Sequence, residues 1–191
     1  MSRLAIFAFL LSLLLPVEST DYDVVVNEKT WSSSCDSEED EGNTPLSELV
    51  NISDLTFVLD KDFETLYISG DITVKLQIPK TPIEMEVNVK HWERSHWEPT
   101  IISLKRDDFC KSMEDPFEVW HTYVVTQIPK DQRTCPPELE HVYSLRNFTN
   151  RVRLEKMPHW DVEGDLKAVV HFTVGKLKTC IPVYFTITIV K

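Results

Sequence analysis

Most of this chain alternates with a period of two. From Asp21 to Asn27, Tyr22, Val24 and Val26 alternate with Asp23, Val25 and Asn27, the pattern of a half-buried strand. Leu55, Phe57 and Leu59 alternate with Thr56, Val58 and Asp60; a turn at Asp60-Lys61-Asp62 then leads to Leu66-Tyr67-Ile68, which predicts a hairpin. Gly70 interrupts the second run before Ile72, Val74, Leu76 and Ile78 resume it as far as Pro79, predicting a bulge or bend at Ser69-Gly70-Asp71. The cleanest alternation sets Ile83, Met85, Val87 and Val89 against Glu84, Glu86, Asn88 and Lys90, one face for a core and one for water. His91-Trp92 and His96-Trp97 enclose a polar turn feeding a strand from Thr100 to Leu104, the tryptophans being expected to cap the end of the core. Further strands are predicted at Val142 to Phe148, at Arg151 to Leu154 before a loop from Lys156 to Asp161, and at Leu166 to Val174. The last strand sets Ile181, Val183, Phe185, Ile187 and Ile189 against Cys180, Tyr184, Thr186 and Thr188, and Pro182 near its start suggests an edge or an entry point.

Between Cys110 and Cys135 the period changes. Asp107 and Asp108 suit the cap and first turn of a short helix through Met113. Asp115-Pro116 restarts it, with proline where a missing N–H costs nothing. Phe117, Trp120, Val124 and Ile128 then recur at helical spacing until Pro129. A helix with an aromatic stripe needs an apolar surface, and the flanking chain offers only strands. The segment is therefore expected to form the lid or wall of a mainly β body, an immunoglobulin-like β-sandwich with seven to nine strands and one or two short helices at its flank. Its candidate cavity lining is Met85, Val87, Val89, Val170, Phe172, Phe185 and Ile187 from the strands, with Phe117, Trp120 and Val124 from the lid.

The N-terminus changes where this body belongs. Residues 1–19 carry Arg3, a run of twelve residues from Leu4 to Leu15 that is apolar except for Ser12, then Pro16 and small residues. This is the form of a secretory signal peptide, its run short of the ~20 residues of a spanning helix. Residues 20–191 are then a single domain in extracellular fluid, expected to be a monomer without an integral membrane segment. Cys35, Cys110, Cys135 and Cys180 make an even number in an oxidising compartment. Three pairings are open, and the nested one, Cys35 with Cys180 and Cys110 with Cys135, is preferred. Loop-closure entropy would give the inner bridge roughly 3.5 kcal/mol and the outer one about 5 kcal/mol. Asn51-Ile-Ser53 and Asn147-Phe-Thr149 are glycosylation sequons. A net charge of −11 opposes binding to nucleic acid and anionic membranes.

No catalytic constellation emerges. Gly-x-Ser-x-Gly, a Gly-rich phosphate loop, His-Glu-x-x-His and zinc-spaced cysteine pairs are all missing, and the chain has four glycines in total. Cys35 is followed by Asp36-Ser-Glu-Glu-Asp-Glu41, which lacks the ligand order of a calcium loop and reads as a solvated loop. His91 and His96 read as turn residues, without a third ligand at a recognised spacing. An enzyme, a metal site and a cofactor are accordingly not expected.

Trp97-Glu-Pro-Thr, Asp107-Asp108-Phe109-Cys110 and Cys135-Pro136, with the first cysteine before an acidic loop and the last opening the final strand, resemble the insect chemosensory protein B family. That family is itself similar to the ganglioside activator and the wider ML lipid-recognition proteins. The resemblance covers nearly all of residues 20–191. It implies a cup-like β-sandwich holding a lipid, hydrocarbon or fatty ester, secretion into sensory-hair fluid, and a role in contact perception of pheromones; it also implies the nested disulfides. The ganglioside activator has further cysteines at its cup mouth, whereas this chain has four, so glycolipid presentation does not carry over. The alternatives are an extracellular module that binds a sensory-neuron receptor or channel through the Trp160 or acidic loop, without an internal ligand, and an immune lipid sensor of the ML group.

Overall fold

The computed structural model describes residues 19–36, 39–159 and 162–190; the signal-peptide core and Trp160 lie outside them. Ten strands occur among the described residues: β1 (Ser19–Val26), β2 (Val50–Asn51), β3 (Thr56–Leu59), β4 (Leu66–Val74), β5 (Glu84–Glu93), β6 (His96–Arg106), β7 (Val142–Thr149), β8 (Arg151–Pro158), β9 (Gly164–Val174) and β10 (Leu177–Val190). They form two antiparallel sheets, a six-stranded one in the order β6-β5-β9-β10-β1-β8 and a smaller one in which β4 pairs with β2 and β3 along one edge and β7 along the other. The fold is thus mainly β. No helix among the described residues is long and apolar enough to cross a membrane.

Alternation does the sorting in the large sheet. Val87 lies opposite Val170, Val89 opposite Ala168, Leu166 opposite Phe185, and Val24 opposite Ile187. Residues directly opposite share a face, so these side chains build one apolar face, with Tyr22, Val89, Leu166, Ala168 and Ile187 buried at its centre. The small sheet has its own cluster of Leu55, Leu66, Ile68, Leu145 and Ile128. Its hairpin forms as the pattern predicts, with Phe57 opposite Ile68. Asp62 accepts hydrogen bonds in the turn from the Thr65 hydroxyl and from the N–H groups of Thr65 and Glu64, and these hold its carboxyl down at about 2. The bulge falls between Ile68 and Gly70. Gly70 has φ +132°, and a Cβ there would stand 2.2 Å from the Asp54 carbonyl oxygen, so only glycine fits. β4 stops at Val74, short of the expected Ile78, because β2 and β7 both run out beside it at Val50 and Val142.

The other face of the large sheet carries Lys167, whose exposure is 0%. A bare ammonium there would be untenable, and the loop after Cys35 supplies its partners. Lys167 Nζ donates to Asp36 Oδ2 at 2.7 Å and to Glu39 Oε2 at 3.0 Å. Glu39 also pairs with Lys90, and its backbone carbonyl lies 3.0 Å from His171 Nε2. Cys35–Cys180 ties this loop to β10 with Cα atoms 6.1 Å apart. Asp36 and Glu39 of the acidic run are therefore engaged rather than simply solvated as composition suggests, and the Lys167 partner of Glu39 lies 128 residues away along the chain. Burial by itself would lower the Lys167 ammonium, but the bonds to Asp36 and Glu39 outweigh this and leave it above 10.5. Burial by itself would raise the Glu39 carboxyl, but hydrogen bonds from Lys90 and Lys167 outweigh this and hold it below 4.5. Trp97 also lies on this face, its ring tilted at 54° to that of Tyr184 with centroids 5.7 Å apart, rather than at the end of the core.

One residue links the sheets where β7 ends and β8 begins. Asn150 is 5% exposed. Its side chain accepts from Leu66 N–H in β4 at 2.8 Å and donates to the Val26 carbonyl in β1 at 2.8 Å, and its carbonyl accepts from Val26 N–H at 2.8 Å. β8 then runs through the expected loop as far as Pro158, since Lys156 at φ +56° gives its N–H to the Asp21 carboxylate and the strand resumes beyond it. Between the inner cysteines the predicted long helix is broken. The described residues hold three single-turn helices, α1 (Leu46–Leu49), α2 (Phe109–Met113) and α3 (Val119–Tyr123), and α3 gives way to a 3-10 turn at Val125–Gln127. Val119, Thr122, Val124, Val125 and Thr126 are β-branched and favour helix weakly.

Asn150→Ala should cost about 3 kcal/mol, read from the urea midpoint, because it leaves a donor and an acceptor in the buried junction without partners. The Glu39 contribution is present above the unfolded carboxyl's ordinary 4.5 and lost as pH falls through the lower folded value. Calorimetry should therefore show the melting temperature falling below that pH. Glu39→Gln should flatten this fall and cost about 3 kcal/mol at pH 7.

Candidate functional site

The apolar face of the large sheet gathers the seven predicted strand residues. Met85 lies opposite Phe172 and Val87 opposite Val170. Met85, Val89 and Ile187 are buried, while Val87, Val170, Phe172 and Phe185 are only half-buried. The lid residues part company. Trp120 is half-buried and meets Phe109 at 5.9 Å, which in turn meets Phe172 at 5.1 Å, an aromatic chain from α3 down to β9. Phe117 precedes α3, whose N-cap is Glu118, and stands 95% exposed; Val124 is 40% exposed. Neither is brought to the face as Trp120 is.

The segment closed by Cys110–Cys135, whose Cα atoms are 5.3 Å apart, reaches both edges of the large sheet. Arg106 at the end of edge strand β6 donates two hydrogen bonds to Glu118, at 2.6 and 3.2 Å. Such a forked pair is stronger and more directional than a single bond. The Arg106 guanidinium also lies 5.5 Å from the Trp120 ring. At the far end of α3, Tyr123 donates to the Arg153 carbonyl of the other edge strand, β8, at 2.6 Å. Beyond the 3-10 turn Ile128 enters the core of the small sheet. Gln132 takes Ser144 N–H at 2.7 Å, and Tyr143 donates to the Thr134 carbonyl at 2.6 Å, fixing the segment to β7. Its few turns of helix thus touch both sheets.

A cavity of about 530 Å³ opens where the β5 row of apolar residues ends, lined by His91, Thr100, Ile101, Ile102, His159, Val162 and Glu163. This lies within the ~300–1,000 Å³ of ordinary ligand sites. A bulge makes it. Asn88 pairs with Ser103 and Lys90 with Pro99, so Val89 faces Thr100, Ile101 and Ile102 together. The Thr100 hydroxyl replaces the missing rungs, donating to the Val89 carbonyl at 2.8 Å and accepting from Ile102 N–H at 3.1 Å. Ile102 and Val162 pack against the buried cluster of the apolar face, while Ile101 is fully exposed. The cavity is therefore continuous with the predicted wall, although none of the ten predicted lining residues borders it. The sequence signal was weak: Thr-Ile-Ile-Ser reads as plain strand, and only the lost alternation at Ile101-Ile102 hints at the bulge.

A second recess, of about 480 Å³, lies among Asp23, Thr65, Thr149, Arg151, Arg153 and Val190. Arg151 there bonds Asp23 and approaches Asp62 and Glu64 at 3.6 and 3.5 Å. This is a charged surface suited to holding the two sheets together. Of the sequon residues, Asn147 is exposed, and Asn51 is half-buried with Oδ1 accepting from Ser53 N–H at 3.2 Å.

Ile102→Ala should cost about 2 kcal/mol of stability, the low end for a core isoleucine because it is only half-buried. Ile101→Ser should leave stability within about 0.5 kcal/mol of the parent in the same denaturant titration. No protein-family model matches this chain, and no curated protein matches it.

Proposed function

We propose that this chain is a secreted carrier for an apolar ligand, built as a cup-like β-sandwich and acting in contact chemosensation as the insect chemosensory protein B family is thought to act. The observation that carries the reading is the cavity of about 530 Å³, two of whose walls, Ile102 and Val162, pack against the apolar face of the large sheet. Each methylene moved from water into such a site contributes about 0.8 kcal/mol before ordering costs, so a medium-length chain binds at micromolar concentration or better. The two disulfides suit an oxidising, extracellular setting, and glycans at Asn51 and Asn147 would belong to the same route.

A second reading has one observation in its favour. Phe57, Val58 and Leu59 on edge strand β3, with Phe63 in the turn after it, are 44 to 81% exposed, an apolar surface of the kind that meets a partner. On that reading the receptor-binding surface, not an internal guest, is what the protein is for.

Native mass spectrometry of protein secreted from insect cells separates the two. The carrier should arrive with lipid or long-chain hydrocarbon bound, and Trp120→Ala should weaken retention about tenfold through the lost aromatic contact with Phe109. Protein that is always empty, and that binds no apolar probe, would leave only the surface reading.

A further inference from the structure

The cavity has a polar end, and its histidines define what that end can bind. The β5 row of the apolar face, Met85, Val87 and Val89, finishes at His91, opposite Leu166. A Cβ on Gly164 would stand only 3.4 Å from His91 Nε2, so the ring lies close over a position where the sheet has no side chain. His91 Nε2 is 3.2 Å from the Glu163 carbonyl oxygen. A carbonyl can only accept, so the neutral ring carries its proton on Nε2 and presents a lone pair at Nδ1. His159 Nδ1 is 3.4 Å from the Thr20 hydroxyl, which can donate or accept and so leaves Nε2 free to serve as a donor. Among the described residues, His91 Nδ1 and His159 Nε2 have no hydrogen-bond partner. The other walls are Ile101, Ile102 and Val162, and the Thr100 hydroxyl is already engaged by the bulge.

We infer that the ligand of this cavity is a long-chain compound ending in a hydroxyl group, which donates to His91 Nδ1 and accepts from His159 Nε2 while its chain lies on Ile102 and Val162. This inference rests on the carrier reading and narrows it. A hydroxyl meets both needs at once: an ether or ester oxygen can only accept, and an alkane does neither. A carboxylate would meet the His91 lone pair and would sit beside Glu163 in a chain of net charge −11. Burying the head unpaired would cost the ligand what one good pair restores.

The test is displacement of the apolar fluorophore N-phenyl-1-naphthylamine from the full secreted protein by dodecan-1-ol, 1-methoxydodecane and dodecane. Dodecanol should displace the probe at roughly tenfold lower concentration than dodecane, the worth of one net hydrogen bond, and the methyl ether should lose most of that advantage. His91→Phe should abolish the preference for dodecanol over dodecane, and a melting temperature close to the parent's shows that the variant is folded. His159→Phe should reduce the preference in the same assay. Equal displacement by all three compounds, or a preference that survives both substitutions, overturns the hydroxyl inference and leaves the carrier intact. Displacement by none of them overturns both.

Discussion

Six strands that alternate with a period of two present one apolar and one polar face, and here neither can be left bare to water. The polar face carries Lys167 at 0% exposure, and the apolar face spreads across all six strands of the sheet. Each face imposes its own cover. On the charged side the cover is short and specific, a loop whose two carboxylates meet one ammonium and whose sulfur is bonded to β10. On the apolar side it is long and only loosely helical, spanning Cys110 to Cys135 and making contact with both sheets. Both disulfides belong to these covers, which have the least regular backbone hydrogen bonding of their own. Closing a loop stabilises most where the open chain has most freedom to lose.

The two covers differ in kind because the surfaces beneath them do. A buried ammonium gains from direction and distance, and removing Glu39 leaves Lys167 with Asp36 alone, an acid that is itself largely exposed. The apolar face gains mainly from area, so its cover tolerates a broken helix. Arg106 and Tyr123 fix the ends of α3 on opposite edge strands, while Trp120 reaches the face through Phe109. The positions just outside these two tethers, Phe117 before Glu118 and Val124 after Tyr123, are left exposed.

The strands were legible in the sequence wherever the alternation ran unbroken, as at Met85 to Val89 and Ile181 to Ile189. It failed where a bulge shifts the phase. Lys156, with its N–H bonded to Asp21, turned the end of β8 into an apparent loop, and three residues facing Val89 hid the cavity at Thr100 to Ile102. The acidic loop misled for another reason: composition reports the solvent preference of a segment and says nothing of a counter-charge far away in the chain. The aromatic stripe from Phe117 to Ile128 carried a correct need for apolar contact but the wrong period. β-branched residues break the helix after Tyr123, so Ile128 serves the small sheet while Trp120 serves the large one.

The place of the cavity follows from the same constraint. The middle of the apolar face is filled, as Val89, Leu166 and Ile187 show, because a close-packed interior stabilises far better than a void. An edge strand is different: it has a neighbour on one side only, and a bulge there costs few ladder bonds, fewer still when the Thr100 hydroxyl supplies the missing ones. β6 is such an edge. On the proposed carrier reading, a guest entering beside Ile101 would cross no rung of the sheet and would displace neither Arg106 nor Tyr123 from its partner. The segment between the inner cysteines would then keep its tethers while the cavity fills, and selectivity would fall to the groups at the polar end rather than to any opening of the fold.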